Sequence, residues 1–442
     1  MEGNRTLLVT VTGRDRPGVT AALFAALVGH DVAVIDIEQV VIRGRLVLGV
    51  LLAVGEAPRA TATSEERARS TNEQRAENAV RSATCAVAAQ LGMDVEITSG
   101  TEEGTPGRSG RLHVTVLGRP LRTAAMAGIA ARIAASGANI DRITRLSRYP
   151  VTSLELEVSG ATDLAVLRGE LAAEAAVRGV DVAVQQGGLH RHGKRLVVMD
   201  VDSTLIQDEV IELLAAHAGQ AAEVARVTDA AMRGELDFEA SLRARVGLLA
   251  GLDAGAVDAV RAAVRLTPGA RTLIRTLQRL DHEIAIVSGG FTQITDFLAA
   301  ELNLDHSCAN TLEIVDGKLT GGLVGPIVDR AYKAQMLREF ATRAGVPLSR
   351  TVAIGDGAND LDMLATAGLG VAFNAKPLVR RAAHAAINVP YLDALLFLLG
   401  ISREDVEAAD AADPGLPEPT GQFGVFSAHG AASPRPSLRG RP

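Results

Sequence analysis

The sequence predicts an α/β core with a parallel sheet, preceded by two smaller α+β modules, and three observations carry that expectation. Three short apolar runs beyond residue 195 each end in a polar or acidic segment. They are 196–199 before Asp200, 285–287 before Ser288, and 352–354 before Gly355-Asp356. Unbroken apolar runs of this length suit strands buried on both faces of a parallel sheet. Before them, strand, helix, strand, strand, helix, strand is read twice, a repeat of about 80–100 residues. Between the first two core runs, 210–264 has helical spacing and no core strand, as expected of a helical insertion. With 442 residues, 47% of them hydrophobic, the chain can fill about three domains of ~150 residues.

The first module, residues 1–100, begins with a β-rich run at 6–12. Gly13-Arg14-Asp15-Arg16-Pro17-Gly18 then breaks the chain ahead of a helix at 19–28. Runs 32–42 and 46–54 flank Arg43-Gly44-Arg45, a hairpin signal. A polar stretch, 56–78, leads into a helix ending near Gly92, and 95–98 closes the module. After a Gly/Ser/Pro-rich linker at 100–110, the second module (108–186) repeats the order with strands 112–117, 139–147, 153–158 and 181–184. Its helices fall at 123–136 and 163–178. A linker at 187–194 holds His190 and His192, which lack an acidic or cysteine partner and read as linker residues rather than metal ligands. The core occupies 195–400 with its cap at about 206–266. Residues 401–442, rich in Asp, Ala, Pro and Gly, read as a disordered tail.

Composition excludes several partners. A net charge of −7, 3% aromatics and no Trp argue against a nucleic-acid surface. No apolar run reaches the ~18 residues of a membrane span, and the start leads into a strand without a secretory apolar region. Two cysteines make no disulfide framework. A cytoplasmic protein is expected. Only four of the 45 basic residues are lysines, so Lys333 stands out where arginine is the default.

Four segments carry chemistry. Asp200-Val201-Asp202-Ser203-Thr204 follows a buried strand, where ligands of open α/β sheets bind. Asp200 can attack phosphorus, and Asp202 can protonate the leaving alkoxide and then deprotonate water. Ser288-Gly289-Gly290 offers a hydroxyl and backbone N–H groups suited to phosphoryl oxygens. Lys333 can neutralise both the aspartate and the transferring group. In Gly355-Asp356-Gly357-Ala358-Asn359-Asp360, carboxylates suit Mg²⁺, with Asp356 a direct ligand, Asp360 orienting the shell and Asn359 donating to substrate.

In this order the four segments resemble the motifs of the haloacid dehalogenase superfamily, over roughly 194–399. The resemblance implies a Rossmann-like core and a covalent aspartyl-phosphate. It also implies Mg²⁺ held by Asp200, the backbone carbonyl of Asp202, and Asp356. The insertion resembles the cap of phosphoserine phosphatases. Carried over, Glu209 holds the substrate ammonium, Arg245 forks onto its carboxylate, and Met232 and Phe238 line the closed pocket. The N-terminal repeats resemble ACT domains, α+β ferredoxin-like (βαββαβ) modules that bind amino acids and associate side by side. Residues 13–19 match their strand-to-helix loop, whereas Leu117-Gly118-Arg119-Pro120-Leu121 lacks its acidic residue.

The expectation is therefore a Mg²⁺-dependent phosphatase acting on phosphoserine. Its catalytic groups are Asp200, Asp202, Ser288 and Lys333. Ser288, Gly289, Lys333, Asn359 and the four cap residues bind substrate. An amino-acid effector such as serine is expected at the ACT pair, in a homo-oligomer of two or more chains. The competing readings are a phosphatase or phosphotransferase for another small phosphorylated amino acid, and an amino-acid sensor with a vestigial phosphatase body.

Overall fold

A computed structural model describes residues 5–30, 32–54, 65–101, 111–188, 191, 193–233 and 235–413. His190, His192, most of the 100–110 linker, the start of the polar 56–78 stretch and the chain beyond 413 lie outside the described residues. The protein divides into two compact units, residues 1–108 and 109–442.

The first unit is a four-stranded antiparallel sheet. Its strands β1 (Arg5–Arg14), β2 (Val32–Ile42), β3 (Arg45–Val54) and β4 (Asp94–Thr101) run in the order β2-β3-β1-β4. Alternation decides which face is covered. Leu7, Val9 and Val11 of β1 and Leu48, Val50 and Leu52 of β3 point into one core beneath helices Val19–Leu27 and Glu65–Leu91. Gly18, at φ 93°, makes the left-handed turn into the first helix. Beside it a cavity of about 320 Å³ is lined by Asp15, Arg16, Pro17, Gly18, Gln39 and Leu46 among others.

The second unit is built on one eleven-stranded sheet. Strands β5 (Leu112–Gly118), β6 (Asn139–Ser147), β7 (Thr152–Ser159) and β8 (Asp181–Gln186) form the second ferredoxin-like module. Next come β9 (Leu196–Met199), β10 (Glu283–Phe291), β11 (His306–Val315), β12 (Lys318–Val324), β13 (Thr351–Gly355), β14 (Leu369–Phe373) and β15 (Ala385–Ile387). The order is β12-β11-β10-β9-β13-β14-β15-β8-β5-β7-β6. From β11 to β15 the strands are parallel. Chain order reverses around the fully buried β9, so a crevice opens at its carboxyl end.

The module and the core share this sheet, rather than being separated by the 187–194 linker. β8 meets β15 through Ala183 opposite Ala385. Asp181, 5% exposed, accepts from the Asn388 backbone N–H at 2.7 Å and from its Nδ2 at 2.5 Å. Leu117, Leu146 and Val151 join Leu392 and Leu395 in one apolar cluster. Arg191, in the linker, pairs with Glu155 of β7.

The insertion contains helices Val210–His217, Ala221–Met232, Phe238–Gly247 and Gly255–Ala263. Its two ends pair, with Ile206 opposite Leu266 and the Gln207 N–H donating to the Arg265 carbonyl at 2.9 Å. The expected tail needs correction only at its start, because Arg403–Ala411 is a helix. Ser402 caps it, Val406 is buried in the core, and Asp410 accepts from both Arg275 and Arg279. Tertiary contacts, invisible to a composition argument, hold this short polar helix.

Candidate active site

Asp200 leaves β9 into the crevice and is 4% exposed. Its Oδ1 accepts from the Val201 N–H at 2.8 Å and from Lys333 Nζ at 2.8 Å. Lys333, fully buried on helix Arg330–Arg343, also donates to Asp360 Oδ1 at 2.7 Å. Asp329 sets the start of that helix by accepting from the Tyr332 N–H at 2.8 Å. Asp360 in turn accepts from the Gly357 N–H at 3.0 Å. Gly355 permits this approach, since a Cβ there would lie 2.4 Å from the Asp360 carboxylate. Oxygens of Asp200, Asp356 and Asp360 lie within 4.8 Å of one another. One ammonium does not neutralise three carboxylates, and an all-oxygen donor set with surplus negative charge fits a hard divalent cation.

Asp202 turns toward the cap. Its Oδ1 accepts from the Val210 N–H at 2.8 Å, at the start of helix Val210–His217, and its Oδ2 from Ser288 Oγ at 3.2 Å. Ser203 takes φ 57°, a left-handed conformation rare for a residue with a side chain, and so bends the chain between the two aspartates and the cap. Ser288 Oγ also accepts from the Gly290 N–H at 2.8 Å. A Cβ at Gly290 would lie 2.8 Å from Asp202 Oδ2, so glycine keeps that carboxylate's place open.

The electrostatics follow from burial. Asp200 is held well above its ordinary range by burial and then by Asp360, with Lys333 opposing. Burial likewise raises Asp202, with the Val210 N–H opposing. Asp356 is pushed up to about 6, by burial and then by Asp360. For Lys333, burial acts downward, but Asp200 and Asp360 outweigh it and hold the ammonium above its usual value.

Glu209 and Arg245 come from the cap. Glu209 is exposed and accepts from Ser203 Oγ at 2.8 Å. Protein crowds its carboxylate, and desolvation followed by repulsion from Asp202 pushes it up to about 7. Arg245, half-buried, spends its Nε on the Ser241 carbonyl at 3.3 Å. Desolvation lowers its guanidinium against the pull of Glu209 and Asp202. Phe238 covers Gly289, with its ring edge 3.3 Å from where a Cβ on Gly289 would stand. Asn359 is half-buried in the turn before Asp360. Met232 ends the second cap helix, and its side chain lies outside the described residues.

Three supporting residues escape sequence reasoning. Thr204 donates to Asp356 Oδ1 at 3.4 Å. Thr267 donates to the Thr204 carbonyl at 2.7 Å from the far end of the insertion. Asn310, 1% exposed, donates to the Gly289 carbonyl at 2.8 Å. The last two sit in segments without a motif, and only the fold brings them to the site.

Strand order and residue set define a haloacid dehalogenase-like hydrolase, and the family model of that description matches residues 197–365. Two ACT-domain models match residues 5–98 and 112–185. A phosphoserine phosphatase of Streptomyces coelicolor is 61% identical over 94% of this chain and 97% of its own length. Another, of Mycobacterium tuberculosis, is 50% identical over 94% of this chain and 98% of its own. Among solved structures, a probable phosphoserine phosphatase of Vibrio cholerae matches with TM-score 0.53 and 35% identity, covering 68% of this chain and 88% of that one. The chain belongs to the phosphoserine phosphatase family of haloacid dehalogenase-like hydrolases. No described helix is long and apolar enough to cross a membrane.

Proposed function

We infer that the protein hydrolyses O-phospho-L-serine to L-serine and phosphate, the last step of serine biosynthesis, in the cytoplasm. The observation that supports this reading is the pair Glu209 and Arg245, opposite charges from the cap that attract each other beside Asp202. Such a pair receives the ammonium and carboxylate of a zwitterionic phosphomonoester.

Asp200 attacks phosphorus in line, the bond from phosphorus to the serine oxygen breaks, and Asp202 delivers its proton to that oxygen. Burial suits Asp202 to carrying this proton. Asp202 then takes a proton from water, whose oxygen attacks phosphorus while the bond to Asp200 breaks, releasing phosphate. Ser288 Oγ, the Gly289 N–H and Lys333 Nζ steady the phosphoryl oxygens, and Asn359 donates to the substrate. Asp200, Asp356 and the Asp202 carbonyl, with Asp360 behind them, would hold Mg²⁺, which would supply positive charge favouring an ionised Asp200. Phe238, against Gly289, lines the closed pocket and excludes water.

The test is a phosphate-release panel of phosphoserine, phosphothreonine, phosphohomoserine and p-nitrophenyl phosphate, with Mg²⁺ and with chelator. Phosphoserine should give the highest kcat/KM, and chelator should stop turnover. A preference for another phosphorylated amino acid would move the assignment to that substrate.

In the first ACT module, the cavity beside Asp15 and Gly18 takes an amino-acid effector, serine being the first candidate. The protein forms a dimer or larger homo-oligomer along β2, which ends its sheet and exposes Val34, Ile37, Val40 and Ile42. Calorimetry with serine and sedimentation of Val40→Asp test these two assignments.

A further inference from the structure

The parallel ladder between β10 and β11 breaks at the phosphoryl-binding loop. Val287 faces Cys308, and the register shifts before Phe291 meets Asn310. Within the break lie Ser288, Gly289 and Gly290, and such an irregularity frees backbone groups to face a ligand. A freed backbone carbonyl still requires a donor when buried. Asn310, at the point where pairing resumes, supplies it, with Nδ2 donating to the Gly289 carbonyl at 2.8 Å.

The other half of the amide reaches a different segment. Asn310 Oδ1 accepts from the Val328 N–H at 2.8 Å. The next residue, Asp329, caps the helix that carries Lys333, and its carbonyl accepts from the Lys333 N–H at 2.9 Å. The orientation of the amide is fixed by chemistry, because a carbonyl only accepts and a backbone N–H only donates. A single buried side chain therefore ties the loop of Ser288 and Gly289 to the start of the Lys333 helix.

We propose that Asn310 is a positioning residue for phosphoryl transfer, fixing the Gly289 N–H and Lys333 Nζ relative to each other through its two hydrogen bonds. This rests on the reading that Ser288, Gly289 and Lys333 hold the phosphoryl oxygens. Donors that stabilise developing charge act only when already in place, so a displacement of the loop slows the chemical step more than it weakens binding.

Asn310→Asp keeps an acceptor for Val328 but sets a carboxylate against the Gly289 carbonyl, whereas Asn310→Ala loses both bonds. Each is compared with the parent and with Ser288→Ala on phosphoserine and p-nitrophenyl phosphate, after thermal unfolding confirms a folded protein. Asn310→Asp should lower kcat about 10- to 100-fold on both substrates, with the phosphoserine KM within about threefold. In a double-mutant cycle, Asn310→Asp should cost much less once Ser288 is already alanine, because both changes damage one loop. A kcat within about twofold of the parent, a loss confined to KM, or full multiplicativity in the cycle would overturn the proposal. If Asn310→Ala does not fold, Asn310→Asp decides alone. If Ser288→Ala keeps full kcat, the phosphoryl-loop reading itself fails. If it is crippled while Asn310→Asp is not, only the role of Asn310 falls.

Discussion

The floor and the roof of the crevice treat charge in opposite ways. On the floor, Asp200, Lys333 and Asp360 are almost completely removed from water, and each is bonded to another charge. On the roof, Glu209 and Arg245 are joined to Ser203 and the Ser241 carbonyl respectively. The floor charges are fixed in ion pairs before any substrate arrives, which is the condition for electrostatic preorganisation. The roof charges keep part of their attraction for a ligand. On the proposed function, the chemistry common to any phosphomonoester belongs to the floor and the choice of substrate to the roof.

The largest expected effect comes from breaking the floor. Asp200→Asn removes the proposed nucleophile but leaves Lys333 its bond to Asp360, so the protein should still fold. Its kcat should fall about 10⁴-fold or more on every substrate, with phosphoserine still bound, as calorimetry would show. Retained turnover would place the nucleophile elsewhere. Breaking the roof should be selective. Arg245→Ala should lower kcat/KM for phosphoserine about 100-fold, the loss expected of a charge-assisted hydrogen bond, and leave p-nitrophenyl phosphate within about threefold. Equal losses on both would erase the distinction between floor and roof.

A gentler probe of the roof is pH. Glu209 sits at about 7, above the ordinary 4.5, so it takes up a proton as pH falls through about 7 and loses its attraction for an ammonium. The phosphoserine KM should therefore rise about tenfold from about pH 8 to about pH 6. The KM of p-nitrophenyl phosphate, which has no ammonium, should not follow, and Glu209→Gln should abolish the difference. An identical profile for both substrates would move the titration to the floor.

These two regions were not equally legible in the sequence. Each floor residue lies in a short motif directly after a buried strand or at a helix start, so local pattern and chemistry together locate Asp200, Ser288, Lys333 and Asp356. The roof residues Glu209, just before one cap helix, and Arg245, on another, have no distinctive spacing, and only the resemblance to a known cap singled them out. Asn310 and Thr267 carried no signal, because their partners at Gly289, Val328 and Thr204 are set by strand register and by the closure of the insertion. The shared sheet was hidden for the same reason. It depends on Ala183 meeting Ala385 and on Asp181 meeting Asn388, pairings between distant residues that no periodicity encodes.

That seam supplies the smallest effect and a control for the comparison. Asn388→Ala removes the Nδ2 donor to Asp181 Oδ1 but keeps the backbone N–H that donates to Oδ2. A buried carboxylate left with half its donors costs about 1–2 kcal/mol, enough to lower Tm by about 2–4 °C in a domain of this size. The seam joins β8 to β15, whereas Asp200 follows β9, with β13 and β14 lying between. Stability should therefore fall while kcat stays within about twofold on both phosphoserine and p-nitrophenyl phosphate. Differential scanning calorimetry and steady-state kinetics on one preparation make the measurement. A parallel loss of kcat would mean that the second ACT module reaches the floor through the sheet, and that the division between chemistry and selection extends beyond the crevice.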